Sequence, residues 1–447
     1  MSSHGCKSGR KIALDIIEKT LNEINPYNEV LENIRFQDNI LAVDTELETI
    51  TFDLKKINNI FVLGGGKGSL LSALALNKVL GDKITESIIA VKGIESQKID
   101  KIDIIKTGHP LPDDGSIKAA KEIIRIANLA TENDLVFFIG SSGTSSMISL
   151  PVESVSLKDM QILYNLLLNN INNIQEINCV RKHISLISGG RLGQYISPGI
   201  ILNFQPGNKK EQFKTMPWPD LIWEDPTTFQ DAIFVLKKYH IWEDTPISIK
   251  KHLSEGVEGK QQETVKNIGP LKVYNIPMSY RYSACIAAKR IAEELGYNAM
   301  ILSTMLEGES KEVGIALASI AKDIVKFNHP IKPPCVLIAG GETSVKVTNK
   351  DGKGGRNQEF VLGLAGNISG YNITVAAIDS EGTDGPTQVA GGIADGGTAK
   401  TCLEKNIDLF GQLNKNNSFY VLDSLQDHII TGPTNVAVQS IKIVVVQ

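Results

Sequence analysis

The sequence predicts an α/β protein of two domains, an N-terminal doubly wound, Rossmann-like sheet followed by a second α/β domain. Three observations carry this. Apolar runs of strand length alternate with amphipathic stretches of helix length, the alternation lapses once in mid-chain and then resumes, and glycine-rich loops follow several strands. At 447 residues the chain has room for two or three domains, each with its own core.

The elements follow in order. The stretch "IALDIIEKTLNEI" carries Asp15, Glu18 and Lys19 at helical spacing, so it reads as an amphipathic helix and not as a signal peptide. A strand at "INNIFVL" (57–63), a helix at "LLSALALNKVLG" (70–81) and a strand at "SIIAVKGI" (87–94) begin a βαβ rhythm. The rhythm continues with a helix over 116–130, the strand "DLVFFIG" (134–140), the helix "SLKDMQILYNLLLNN" (156–170) and a short helix around 180–185. It lapses from Pro206 to Glu224, and after the helix "TTFQDAIFVLKKY" a polar stretch from Glu243 to Lys266 reads as a connection. The predicted domains are therefore 1–245 and 246–447. The second contains a helix over 282–295, the strand "NAMILS", a helix over 312–326, the strands "PCVLIAG" and "TSVKVT", the helix "QEFVLGLAG" and the strand "NITVAAI".

Composition narrows the function. A formal net charge of -4, with no basic field, disfavours nucleic-acid binding, and no run approaches the roughly 20 apolar residues needed to cross a bilayer. Cys6, Cys179, Cys285, Cys335 and Cys402 are odd in number and form no CxxC pair, which suggests neither a disulfide framework nor a zinc site and fits a cytoplasmic protein.

Loops that leave the carboxyl ends of strands are where an open α/β sheet binds ligands. "GGGKGS" offers Gly64, Gly65 and Gly66 for close backbone approach to a phosphate and Lys67 as a charge, or else is a tight turn with a solvated lysine. "GSSGTSSM" presents Ser141, Ser142, Gly143, Thr144 and Ser145 as donors to an anion, or simply caps a helix. It is not a GxSxG elbow. In "VRKHISLISGGRLG", Arg191 is the candidate for an anionic group, while His183 reads as structural. In "DSEGTDGPTQVAGG", Asp384 is a candidate magnesium carboxylate, with an Asx-turn as its alternative. "GGETSVKVTNKDGKGGRNQE" would bring Glu342, Thr343, Arg356 and Asn357 together. Arg356 suits phosphate or carboxylate, and Glu342 either orients it or binds metal.

In their order and spacing, "GGGKGS", "VRKHIS", "SGGRLG", "DPTT", "GGETSVKV", "GGRNQE", "GTDGPT" and "TGPTNV" resemble the glycerate 2-kinase family, whose carboxyl-terminal part is called the MOFRL domain, here about residues 333–440. The resemblance covers roughly residues 8–447. It implies two α/β domains with an active site in the cleft between them, where ATP and magnesium phosphorylate the 2-hydroxyl of D-glycerate or a related small hydroxy or sugar acid. Lys67 matches the family's catalytic lysine and Arg356 its catalytic arginine, and the 141–145 loop stands where the family holds the substrate carboxylate. Gly64, Gly65, Gly66, Glu342, Thr343 and Asn357 are then expected on the nucleotide, and a homodimer is compatible with the resemblance.

The chain departs from the family pattern at "NFQPGN" (203–208), where "SDVxGD" and its two carboxylates are expected, and at "WPDLIW", "SEG", Gln388 and "TGPTNV". Substrate choice is expected to reside between Asn203 and Glu224, with Trp218 and Trp223 as walls or packing anchors. The alternative function is a kinase-like protein that binds a nucleotide or organic acid without turnover. Members are also labelled hydroxypyruvate reductases, but no dinucleotide fingerprint supports hydride transfer here.

Overall fold

A computed structural model describes residues 5–45, 47–171, 173–206 and 221–447. The chain forms two compact α/β units: one comprises Pro26–Met278, the other Met1–Asn25 together with Ser279–Gln447.

In the 26–278 unit, strands β1 (Ile34–Gln37), β2 (Ile40–Asp44) and β3 (Thr49–Asp53) form a small antiparallel sheet. The main sheet comprises β4 (Ile60–Gly65), β5 (Glu86–Val91), β6 (Gln97–Ile99), β7 (Ile102–Lys106), β8 (Leu135–Gly140), β9 (Ile200–Pro206) and β10 (Lys272–Met278). Their order is β10-β9-β8-β4-β5-β7-β6, parallel throughout except for the edge strand β6. Alternation along the inner strands feeds two cores. Ile60 and Val62 of β4 face one cluster with Leu70, Ala73 and Leu76, while Phe61 and Leu63 face another with Met147 and Ile148.

The direction of winding reverses at β4. The chain leaves β4 through the helix Ser69–Leu80 over one face toward β5, and leaves the adjacent β8 through the helix Thr144–Met147 over the other. The loops after β4 and β8 therefore part around a crevice at the carboxyl edge, the usual ligand position in such sheets.

The other unit holds β11 (Asn298–Leu306), β12 (Cys335–Gly341), β13 (Ile373–Asp379), β14 (Gly391–Asp395), β15 (His428–Ile429) and β16 (Ser440–Val446), in the order β11-β12-β16-β13-β14-β15. In this sheet, among the described strands, only β11 and β12 pair in parallel. Leu337, Val375, Ala377 and Val444 pack with Phe360 and Leu364 on one face. Val336, Ala376, Ile443 and Val445 pack with Ile16, Ile17 and Ala288 on the other.

Two expectations change. The boundary at residue 245 falls inside the 26–278 unit, because β10 extends the first sheet by pairing in parallel with β9, and the "connection" over 243–266 contains the helix Ile247–Val257, which buries Ile249 and Leu253. The first helix, Lys7–Glu23, belongs to the other unit. Arg10 anchors it there, its Nε 2.5 Å from Asp395 Oδ2 and its Nη1 2.5 Å from Asp427 Oδ1, with the arginine side chain only 6% exposed. Arg10→Ala would remove the counter-charge of two buried carboxylates, so it is expected to lower stability by about 3–5 kcal/mol in urea unfolding.

Candidate functional site

Polar residues gather in two places, one in each unit. In the 26–278 unit the loops after β4 and β8 are locked together. Thr144 Oγ1 donates to Gly65 O at 2.6 Å, Lys67 N–H to Ser142 O at 2.9 Å and Gly68 N–H to Ser141 Oγ at 3.0 Å. Gly66 sits at φ +128°, a conformation that L side chains rarely adopt, and a Cβ there would run into Ser141 Oγ. Gly64 and Gly65 allow equally close approach of Ile139 and Ala90.

This geometry corrects the expected phosphate cradle. The amides of residues 66, 67 and 68 are spent on Ala90 O, Ser142 O and Ser141 Oγ, so Gly64, Gly65 and Gly66 build a rigid platform for Lys67 and do not offer a nest of free N–H groups. Thr144 is likewise a clamp. Ser142 and Ser145 are the half-buried hydroxyls of the loop whose side chains are not spent on it.

His109 joins this place, since a Cβ on Gly143 would lie 2.8 Å from its Cδ2. Burial first, then Lys67, Lys92 and Arg181, push its pKa down to about 3, so the imidazole is neutral across ordinary pH and the surroundings are strongly cationic.

In the other unit Arg356 opens the helix Arg356–Ala365 and makes ion pairs with both Glu342 and Asp379, while its Nε makes no hydrogen bond. The expected meeting of Glu342 with Arg356 thus occurs, with Asp379 as a third member. The segment between them is not the expected strand "TSVKVT". It is an irregular loop tied down by Asn416, whose Oδ1 accepts from Thr348 N–H at 2.8 Å and from Thr348 Oγ1 at 3.0 Å. Thr343 is buried against Ser310 Oγ at 2.8 Å, and Asn357 is fully buried, its Nδ2 donating to Asp384. Both are structural in this arrangement, which removes them from contact with a nucleotide.

The sequence of this chain matches a domain of unknown function, DUF4147, over residues 12–254 and the MOFRL family over residues 335–440. It is 38% identical to a glycerate 2-kinase of Pyrococcus horikoshii over 98% of this chain and 97% of that one. It is 34% identical to a D-glycerate 2-kinase of Thermotoga maritima over 97% of this chain and 98% of the relative. The crystal structure of a glycerate kinase from Thermotoga maritima superposes with a TM-score of 0.82 at 34% identity, covering 99% of this chain and all of that one.

The chain belongs to the glycerate 2-kinase family. It is a phosphotransferase with an alcohol group as acceptor.

Against that family membership two further expectations are corrected by geometry. Arg191 does not present its guanidinium to a ligand: Nη1 donates to Ser188 O at 3.0 Å and Lys182 O at 3.2 Å, and Nη2 to Gln262 O at 3.3 Å. Asp384 is not placed as a metal carboxylate. It is fully buried, accepts from the N–H groups of Asn357 and Gln358 and from both their side-chain amides, and so anchors the start of the helix Arg356–Ala365 as an anion at a helix N-terminus does. Gly355 has no room for a side chain because that carboxylate lies against it. His183 is structural as expected, its Nδ1 2.7 Å from Cys179 O and its Nε2 3.2 Å from Glu263. Of the motif positions, Phe204 stacks in the core with its ring 6.1 Å from Phe137, and Asn203 donates to Asn275. Residues 207–220, including Trp218 and the end of "NFQPGN", lie outside the described residues.

Sequence reasoning missed three residues: His109, Arg181 and Lys442. Lys442 is buried in β16 with Nζ 5.6 Å from the Phe360 ring and no hydrogen-bond partner for it. Burial, with Arg356 behind it, lowers its pKa to about 8 against the pull of Asp384, Glu342 and Asp379. Between about pH 8 and the ordinary 10.5 the unfolded chain holds a proton that the folded chain has released, so Lys442 makes stability rise with pH across that window. In urea titrations from pH 8 to 10, Lys442→Met is expected to flatten that rise relative to wild type.

Proposed function

We propose that this protein phosphorylates the 2-hydroxyl of D-glycerate, or of a closely related small hydroxy or sugar acid, with ATP as donor. The observation that carries the reading is the interlocked pair of loops at the switch point of the sheet, which fixes Lys67 at the carboxyl edge in a chain related along its whole length to glycerate 2-kinases. Phosphoryl transfer asks little covalent chemistry of the protein and much positioning and charge. As the hydroxyl oxygen gives its proton to solvent water and bonds to the γ-phosphorus, and the bond to the bridging oxygen breaks to release ADP, negative charge spreads over the transferring oxygens. Lys67 supplies a compact positive charge and Arg356 a planar fork of donors for it.

Magnesium would shield the nucleotide's phosphates. Among the described residues no three His, Cys, Asp or Glu gather to hold a metal, but magnesium on a nucleotide needs only one or two protein carboxylates, and Glu342, 42% exposed beside Arg356, would supply one. No helix among the described residues is long and apolar enough to cross a membrane, and all five cysteines are free thiols, which supports a reducing, cytoplasmic setting.

The test is ADP release measured with D-glycerate and with four- to six-carbon sugar acids in the presence of magnesium. Turnover of one of them is expected, and a folded protein that turns over none would sink the reading. A second reading, binding without turnover, is favoured by one observation: Phe204 lies in the core where the family motif has a carboxylate. Calorimetry that finds binding of ATP or an acid without consumption would select it.

A further inference from the structure

Three cations crowd the segment 181–191, and their partners differ. Lys182 Nζ lies 2.6 Å from Asp225, and Arg191 is spent on backbone carbonyls. Arg181 has no carboxylate partner among the described residues, although it is only 6% exposed. Its guanidinium lies 4.1 Å from the centre of the Tyr164 ring, Nη1 donates to Ser145 Oγ at 3.2 Å, and Nε is buried without any hydrogen bond. An arginine cannot shed its proton to escape burial, so an unpaired buried guanidinium is a standing penalty unless something anionic meets it.

No carboxylate among the described residues pairs with Arg181. Arg181, Lys67 and Lys92 all act on His109, which itself packs against Gly143 of the hydroxyl-bearing loop. An anionic ligand would supply the counter-charge that Arg181 lacks. Stacking on Tyr164 holds one face of the guanidinium flat and leaves its edge to fork onto two coplanar oxygens, which is the shape of a carboxylate, while Lys67 is the point charge better matched to a phosphoryl group.

The family resemblance puts the substrate carboxylate at the 141–145 loop; we propose that Arg181, hydrogen-bonded to Ser145 of that loop, is the residue that pairs with the carboxylate, its guanidinium forking onto both oxygens. This rests on the kinase reading for the identity of the acid, but the subsite is a binding claim that stands or falls separately. Arg181 is then a specificity-determining residue: it makes the protein choose acids over neutral polyols.

The experiment is calorimetry on wild type, Arg181→Met, Arg181→Lys and Ser145→Ala, with D-glycerate, its neutral amide glyceramide and ATP as separate probes, alongside ADP release. Loss of a charged hydrogen-bonded pair predicts that Arg181→Met weakens D-glycerate binding on the order of 100-fold, leaves glyceramide and ATP binding unchanged, and erases the preference for acid over amide. Arg181→Lys, which keeps the charge without the fork, should fall between, and Ser145→Ala, which leaves the core intact, should weaken the acid about tenfold. An unchanged affinity for the acid in folded Arg181→Met, or a loss confined to ATP, overturns the subsite. Binding of D-glycerate that Arg181→Met abolishes, in a wild type that releases no ADP, supports the subsite and overturns the kinase reading. Turnover with the same KM for the acid in wild type and Arg181→Met does the reverse. A wild type that binds neither D-glycerate nor any four- to six-carbon sugar acid overturns both.

Discussion

Lys67→Ala is expected to lower kcat for the acid substrate by about 1,000-fold, equivalent to about 4 kcal/mol of transition-state stabilisation, with melting temperature nearly unchanged. The two halves of that expectation have separate causes. The large kinetic effect would follow, on the proposed reading, from the loss of the positive charge that Lys67 brings to the transferring phosphoryl group. The small thermal effect follows from how the loop is held: its locks are the Lys67 backbone N–H on Ser142 O, Gly68 N–H on Ser141 Oγ and Thr144 Oγ1 on Gly65 O, none of which uses the lysine side chain. ADP release under saturating substrates and a thermal melt together check it. A rate within tenfold of wild type in a folded variant would remove Lys67 from the chemistry. Lys67→Arg should recover little, because the same locks and the close approach at Gly66 leave no slack for a longer, planar head to occupy the position of an ammonium.

How much of this was legible in the sequence depends on whether a local pattern or a distant partner decides the structure. The runs "IFVL", "LVFFIG", "CVLIAG" and "ITVAAI" are buried on both faces of their sheets, and such runs are readable as strands from composition alone. The loops after β4 and β8 were legible for the same reason, since glycine marks where backbone must approach closely. β1, β2 and β3 were not: they are only four or five residues long, and among them only Ile34, Leu41 and Val43 are buried, too short a pattern to stand out. The division of the chain escaped because a buried ion pair between Arg10 and two aspartates some 400 positions away assigns the first helix to the far unit, and no local pattern records that.

The same logic separates the two arginines of "VRKHISLISGGRLG". Arg191, next to glycines, has the sequence context of an anion site, yet its donors end on carbonyls. Arg181 sits in an ordinary helical turn, and only its burial, Tyr164 and the lack of a carboxylate partner among the described residues give it away. Asp384 misled for the opposite reason: a carboxylate in a turn-dense loop looks available, but the helix Arg356–Ala365 starts on it and consumes its oxygens.

Arg356→Ala is the other variant with a large expected effect, about 1,000-fold or more in kcat, and here stability should fall as well. Arg356 is held in one plane by Glu342 and Asp379 together, so its guanidinium is oriented before any substrate arrives. Asp379 is only 5% exposed, and removing the arginine leaves that carboxylate, which also accepts from the Glu381 N–H, buried without its counter-charge, which destabilises the fold independently of catalysis. Arg356→Lys separates the two roles. An ammonium still pairs with one carboxylate, so most of the stability should return, but it cannot span Glu342 and Asp379 while aiming further donors at a phosphoryl group, so kcat should stay low. Recovery of rate in parallel with stability would mean that Arg356 acts only by holding the helix and its loop in place, and that the charge on the transferring group is met elsewhere.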